Sequence, residues 1–128
     1  MIERFEYDVE SDTLDVLFGE KRSAWTIELT PNILLSIDRS RKIIVRLTFS
    51  DYTELIRPTL LGIRSFPITG FAQLPNVERE IVANVLNSVE VRRWLDVSTV
   101  QDLPDSPFTV THLQPPPVEL ADKLFATA

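Results

Sequence analysis

The chain contains no cysteine. That excludes disulfides, thiolate metal sites and cysteine nucleophiles together, and it agrees with a reducing compartment, so a cytoplasmic location is expected. Glycine is scarce: residues 19, 62 and 70 are the only three, too few and too scattered for a loop that cradles phosphate. Histidine occurs once, as His112. A zinc site would have to be completed by carboxylates alone, and without a G-x-S-x-G elbow His112 reads as a structural strand residue rather than a triad base. No apolar run approaches the roughly 18 residues of a membrane span. The opening Met1-Ile2-Glu3-Arg4 lacks the basic-then-apolar pattern of a secretory signal. Basic charge is also short, with 13 Lys and Arg against 19 Asp and Glu, a net charge of −6. Phosphate neutralisation dominates nucleic-acid affinity, so neither a nucleic-acid nor a membrane partner is expected.

What is present suits one folded domain. The 128 residues are 44% hydrophobic and 25% charged, enough to bury a core without staples. Residues 1–57 read as a β-meander, 58–114 as a helical cover with a possible extra strand, and 115–128 as a proline spacer and tail. Strands are expected at about 3–7, 13–18, 24–29, 33–38 and 43–49, from period-two alternation such as Leu14, Val16 and Phe18. In the fifth, Ile43, Val45, Leu47 and Phe49 are expected on one face. Ser50 or Asp51 begins a short helix that ends before Pro58. Residues 59–74 read as an irregular connection that packs down. The clearest helix spans about 76–87, with Val77, Ile81, Val85 and Leu86 at helical spacing. A second is expected at about 89–95, then a turn-rich loop at 102–107, a strand at 108–113, and a weakly helical tail containing Leu120, Leu124 and Phe125. The fold class is therefore α+β, an antiparallel β-meander of about five strands packed against one or two helices.

Three groups of residues could carry chemistry. Asp8, Glu10 and Asp12, with Asp15 nearby, resemble a cation loop. A twelve-residue calcium loop starting at Asp8 needs glycine at its sixth position and glutamate at its twelfth; the chain has Thr13 and Gly19. The segment therefore reads as a polar hairpin turn, with Asp8, Glu10 and Asp12 kept as candidate metal ligands. Arg92, Arg93 and Trp94 could clasp a phosphate or an acidic partner, set against a solvated helix face with Trp94 anchored in the core. Tyr52, Phe66 and Phe71 could line a pocket or an interface, though core packing is the plainer reading. No catalytic residue and no cofactor is assigned.

Tyr7-Asp8-Val9-Glu10-Ser11-Asp12-Thr13-Leu14, then Ile37-Asp38-Arg39-Ser40-Arg41-Lys42, then Val45-Arg46-Leu47-Thr48-Phe49 follow one another in the first half. In this, residues about 5–57 resemble a family of short, uncharacterised bacterial proteins, a domain of unknown function. Its members open with Tyr-Asp, an acidic turn and Asp-x-Leu, and close on a Val-Gly-Ile-Glu strand. Arg46 stands where the family has glycine. The resemblance implies a small β-meander with a short helix, and no activity. The leading expectation is a non-enzymatic interaction module, paired as a homodimer or with another protein, because such a sheet exposes edge strands. The alternatives are a carboxylate-based enzyme or cation-binding protein using the acidic turn, and a small-molecule binder with a pocket between the sheet and residues 59–74.

Overall fold

A computed structural model describes residues 3–19, 24–60, 62, 64–103 and 106–124. Most of the polar break expected at 19–23, and Phe125 of the tail, lie outside the described residues. Five strands, β1 (Glu3–Asp8), β2 (Thr13–Phe18), β3 (Trp25–Thr30), β4 (Ile33–Asp38) and β5 (Ile43–Phe49), form one antiparallel sheet. The α+β class and the antiparallel five-stranded sheet are thus present. The spatial order is β1-β2-β5-β4-β3. Strands β3 to β5 are a meander, and β5 then docks on β2 rather than on a new edge, a Greek-key arrangement.

The pairing registers run straight across the sheet. Phe5, Val16, Leu47, Leu35 and Ile27 form one inner rung, and Tyr7, Leu14, Phe49 and Ile33 form the next. From β2 to β3 these apolar side chains are buried. The outer face carries the complementary set, with Glu6, Asp15, Thr48 and Leu34 in one rung. Strict alternation fails at two places. In β3, Glu28 pairs with Leu34 but Thr30 pairs with Ile33, so Leu29 is an extra residue. The second is in β5. Ser36 pairs with Arg46 but Ile37 pairs with Ile44, so Val45 is an extra residue, a β-bulge. The bulge turns Ile44 to the core with Leu47 and Phe49, where period two assigns Ile43 and Val45.

The second half covers the inner face. Helix α1 (Tyr52–Ile56) follows β5, and α3 (Asn76–Leu86) buries Val82, Val85 and Leu86. The expected second helix is shorter: α4 (Val89–Arg92) is capped by Ser88, and Leu95 already starts a strand. Residues 59–74 contain β6 (Phe66–Pro67) and α2 (Thr69–Ala72). Strands β7 (Leu95–Leu103) and β8 (Ser106–Leu113) form a hairpin, and β6 adds to β8 in a second sheet of order β6-β8-β7. Pro67 is tolerated because β6 is an edge strand. Helix α5 (Val118–Leu124) follows the triple proline and buries Leu120. One apolar cluster joins the inner rungs to Ile68, Val91, Trp94, Leu95, Leu113 and Leu120.

The two edges of the large sheet are treated differently. Helix α2 lies against β3 so closely that a Cβ on Gly70 would sit 1.7 Å from the Glu28 carbonyl oxygen. Glycine is required there by close approach, and it lets α2 cover the β3 edge. It also leaves no cleft at that point between residues 59–74 and the sheet. The β1 edge has no such cover: among the described residues its backbone pairs with β2 alone.

Candidate functional site

The acidic turn and the second hairpin turn share one construction. Asp8 Oδ1 accepts the Glu10 N–H at 3.1 Å and Asp8 Oδ2 accepts the Ser11 hydroxyl at 2.9 Å. In the β4–β5 turn, Asp38 Oδ1 accepts the Ser40 N–H at 3.1 Å, the Ser40 hydroxyl at 2.9 Å and the Arg41 N–H at 3.2 Å. Each turn ends four residues later in left-handed backbone, Asp12 at φ 52° and Lys42 at φ 59°. Aspartate at the first position is turn chemistry, a side chain that satisfies amides the turn leaves open. Glu10 contributes its backbone N–H to this turn.

Asp12 does something Lys42 does not. Its carboxylate accepts the Thr53 N–H at 3.1 Å, the Thr53 hydroxyl at 2.6 Å and the Tyr7 hydroxyl at 2.5 Å. Its carbonyl accepts the Tyr52 N–H at 3.0 Å. The residue preceding α1, Asp51, is left-handed and makes no side-chain cap. Asp12 therefore caps α1 from the adjacent hairpin turn, since β2 lies beside β5, placing negative charge at the helix start. Asp8 and Asp12 thus serve different partners, and no group of three or more His, Asp or Glu side chains placed to hold a metal ion occurs among the described residues.

Burial and the Asp12 hydrogen bond, with the charges of Asp12 and Asp8 behind them, push the Tyr7 phenol up to about 12. Tyr52 packs edge-on to Tyr7, is 1% exposed, and has no partner for its hydroxyl. Burial first, and the neighbouring Tyr7 second, push its phenol above the ordinary range as well. Of the aromatics considered for a pocket, Tyr52 belongs to the core, while Phe66 and Phe71 pack against that core half-buried.

Arg92, Arg93 and Trp94 are brought to the opposite end of β1. The Trp94 indole N–H donates to Glu3 Oε1 at 2.7 Å, and its ring meets Phe5 edge-on at 5.9 Å. Arg93 reaches the other Glu3 oxygen at 3.5 Å. Trp94 is a buried anchor and both arginines are exposed. His112 stands 3.3 Å from Asp96. Val89, Arg92, Arg93, Asp96 and Gln114 line a depression of about 290 Å³. A second depression, about 360 Å³, runs along the outer side of the first hairpin past Glu6, Asp8, Ser11, Thr13 and Asp15.

No motif in the sequence singles out Arg4 and Glu6. Both are exposed on the outer face of β1, and neither has an ion-pair partner among the described residues. Glu6 lies directly opposite Asp15, a like-charge pair; Asp15 is served by Thr48 at 2.6 Å and Arg46 at 3.7 Å. Alternation of Arg4 and Glu6 about Phe5 is visible in the sequence, but it gains meaning only once β1 is known to be an uncovered edge. No known protein family, no curated protein and no solved structure matches the chain.

Proposed function

We propose that the chain is a non-enzymatic interaction module that pairs with a second copy of itself through β1. The observation that carries this reading is the uncovered β1 edge with its unpartnered Arg4 and Glu6. Two-fold antiparallel pairing centred on Phe5 sets Arg4 of each copy opposite Glu6 of the other. Phe5 then faces Phe5 at the axis, and Glu3 faces Tyr7. Pairing centred on Glu6 would oppose two glutamates, which is unfavourable. The favoured register supplies the missing cation beside Glu6 and its Asp15 neighbour, and it satisfies the open N–H and C=O row of β1. The result is one continuous sheet across a closed dimer. The family resemblance of residues about 5–57 bears on architecture only, since that likeness implies no activity.

The test is a charge swap read as solution mass. Arg4→Glu opposes carboxylate to carboxylate at both Arg4–Glu6 pairs of the joint and is expected to return the protein to a single chain. The double variant Arg4→Glu with Glu6→Arg restores opposite charges and is expected to restore the dimer. A double variant no better paired than Arg4→Glu alone would reject the Phe5-centred register. An Arg4→Glu protein that still pairs like the unmodified chain would reject β1 as the interface.

A further inference from the structure

We infer that the depression lined by Val89, Arg92, Arg93, Asp96 and Gln114 binds a small oxyanion, the carboxylate or phosphate group of an organic molecule. The two nearby carboxylates each have a neighbour, that of Asp96 being cationic only when the His112 imidazole is protonated. Glu3 accepts the Trp94 indole N–H at 2.7 Å and stands 3.5 Å from Arg93; Asp96 stands 3.3 Å from His112. The two guanidinium groups are not saturated. Arg92 makes no ion pair among the described residues, and the 3.5 Å from Arg93 to Glu3 is long for a charge-assisted hydrogen bond, which closes to about 2.7–2.9 Å. Each guanidinium offers five donors in a planar fork matched to two oxygens of a carboxylate or phosphate.

The backbone under the site is held. The Gln114 N–H donates to the Trp94 carbonyl at 2.9 Å, and the Gln114 side-chain amide donates to the Arg92 carbonyl at 3.3 Å. These bonds tie the end of α4 to the end of β8, so both arginines leave a fixed segment whose next residue, Trp94, is buried. Val89 supplies an exposed apolar wall for the body of the ligand. A volume near 290 Å³ limits the ligand to a small molecule.

Inorganic phosphate and acetate are the probes, each titrated at constant ionic strength into isotopically labelled full-length protein. Binding is read from the Gln114 and Trp94 side-chain N–H resonances. Saturable shifts are expected with at least one probe, and the tighter of the two tells phosphoryl from carboxylate ligands. Arg92→Gln, at an exposed position, is expected to keep the melting temperature and weaken binding about tenfold, the worth of one lost charged hydrogen-bonding fork. Glu3→Gln keeps an acceptor for Trp94 but frees Arg93, and is expected to tighten binding. The absence of saturable shifts with both probes would overturn the site, as would an Arg92→Gln protein that titrates like the unmodified chain.

Discussion

Asp12 and Thr53 are 41 residues apart in the chain, yet the Asp12 carboxylate accepts both the Thr53 N–H, at 3.1 Å, and the Thr53 hydroxyl, at 2.6 Å. The contact locks the first hairpin to the helix that follows the fifth strand. Removing it costs a helix cap, about 1–2 kcal/mol, and strands the Tyr7 hydroxyl. Asp12→Ala is therefore expected to lose about 2–3 kcal/mol in urea unfolding. Asp8→Ala, which opens only an exposed turn, is expected to lose less than about 1 kcal/mol. Equal losses would contradict the distinction between the two aspartates.

The same geometry bears on cations. With Asp12 occupied by donors from Tyr7 and Thr53, and Asp8 by its own turn, millimolar calcium or magnesium is expected to leave the melting temperature unchanged. A ligand that bound the folded state would raise it, and such a rise would mean that Asp8, Glu10 and Asp12 hold a cation.

Tyr52 holds a hydroxyl buried without a partner. Such a group carries a desolvation cost of about 1–3 kcal/mol. Tyr52→Phe is expected to be neutral or stabilising, whereas Tyr7→Phe, which removes a donor to Asp12, is expected to destabilise. Calorimetric melting of the two variants compares them, and the opposite ranking would contradict the assignment of partners.

The chain has two tyrosines, and both phenols are pushed up, Tyr7 to about 12. The neutral phenol is therefore favoured by folding. Between the unfolded value near 10 and the folded value, the unfolded state releases its proton first, so stability is full below pH 10 and falls as pH rises toward 12. Ultraviolet titration of the folded protein is expected to show no phenolate midpoint at pH 10. A normal midpoint there would mean that the Tyr7–Asp12 bond is not formed in solution.

Gly70→Ala tests how the β3 edge is covered. The new methyl cannot occupy a place 1.7 Å from the Glu28 carbonyl oxygen, so α2 must lift. A loss of about 1–3 kcal/mol is expected, with faster hydrogen exchange along β3. Unchanged exchange would mean that α2 does not rest on that strand.

Much of the sheet is legible in the sequence where a strand alternates strictly, as β1 and β2 do. Leu14, Val16 and Phe18 alternate and are all buried. Strand β5 is harder, because the bulge at Val45 comes from its pairing with β4 and leaves no local signature. Strand β7 was hidden for a different reason: Trp94 and Leu95 continue the apolar spacing of α4, although the helix stops at Arg92 and Leu95 is already paired with Leu113. Residues 59–74 gave no periodicity because β6 and α2 are two and four residues long. Of the candidate site, Arg92 and Arg93 were visible as a basic pair. The roles of Asp12, Arg4 and Glu6 were not, since each depends on a partner or an edge that only the fold supplies.

The most direct test of the central proposal, pairing through β1, is the light-scattering mass of the unmodified chain over rising concentration. A six-residue edge makes a modest joint, so the mass is expected to climb from 14.6 kDa toward twice that value as concentration increases. A mass that stays at 14.6 kDa at every concentration would contradict it.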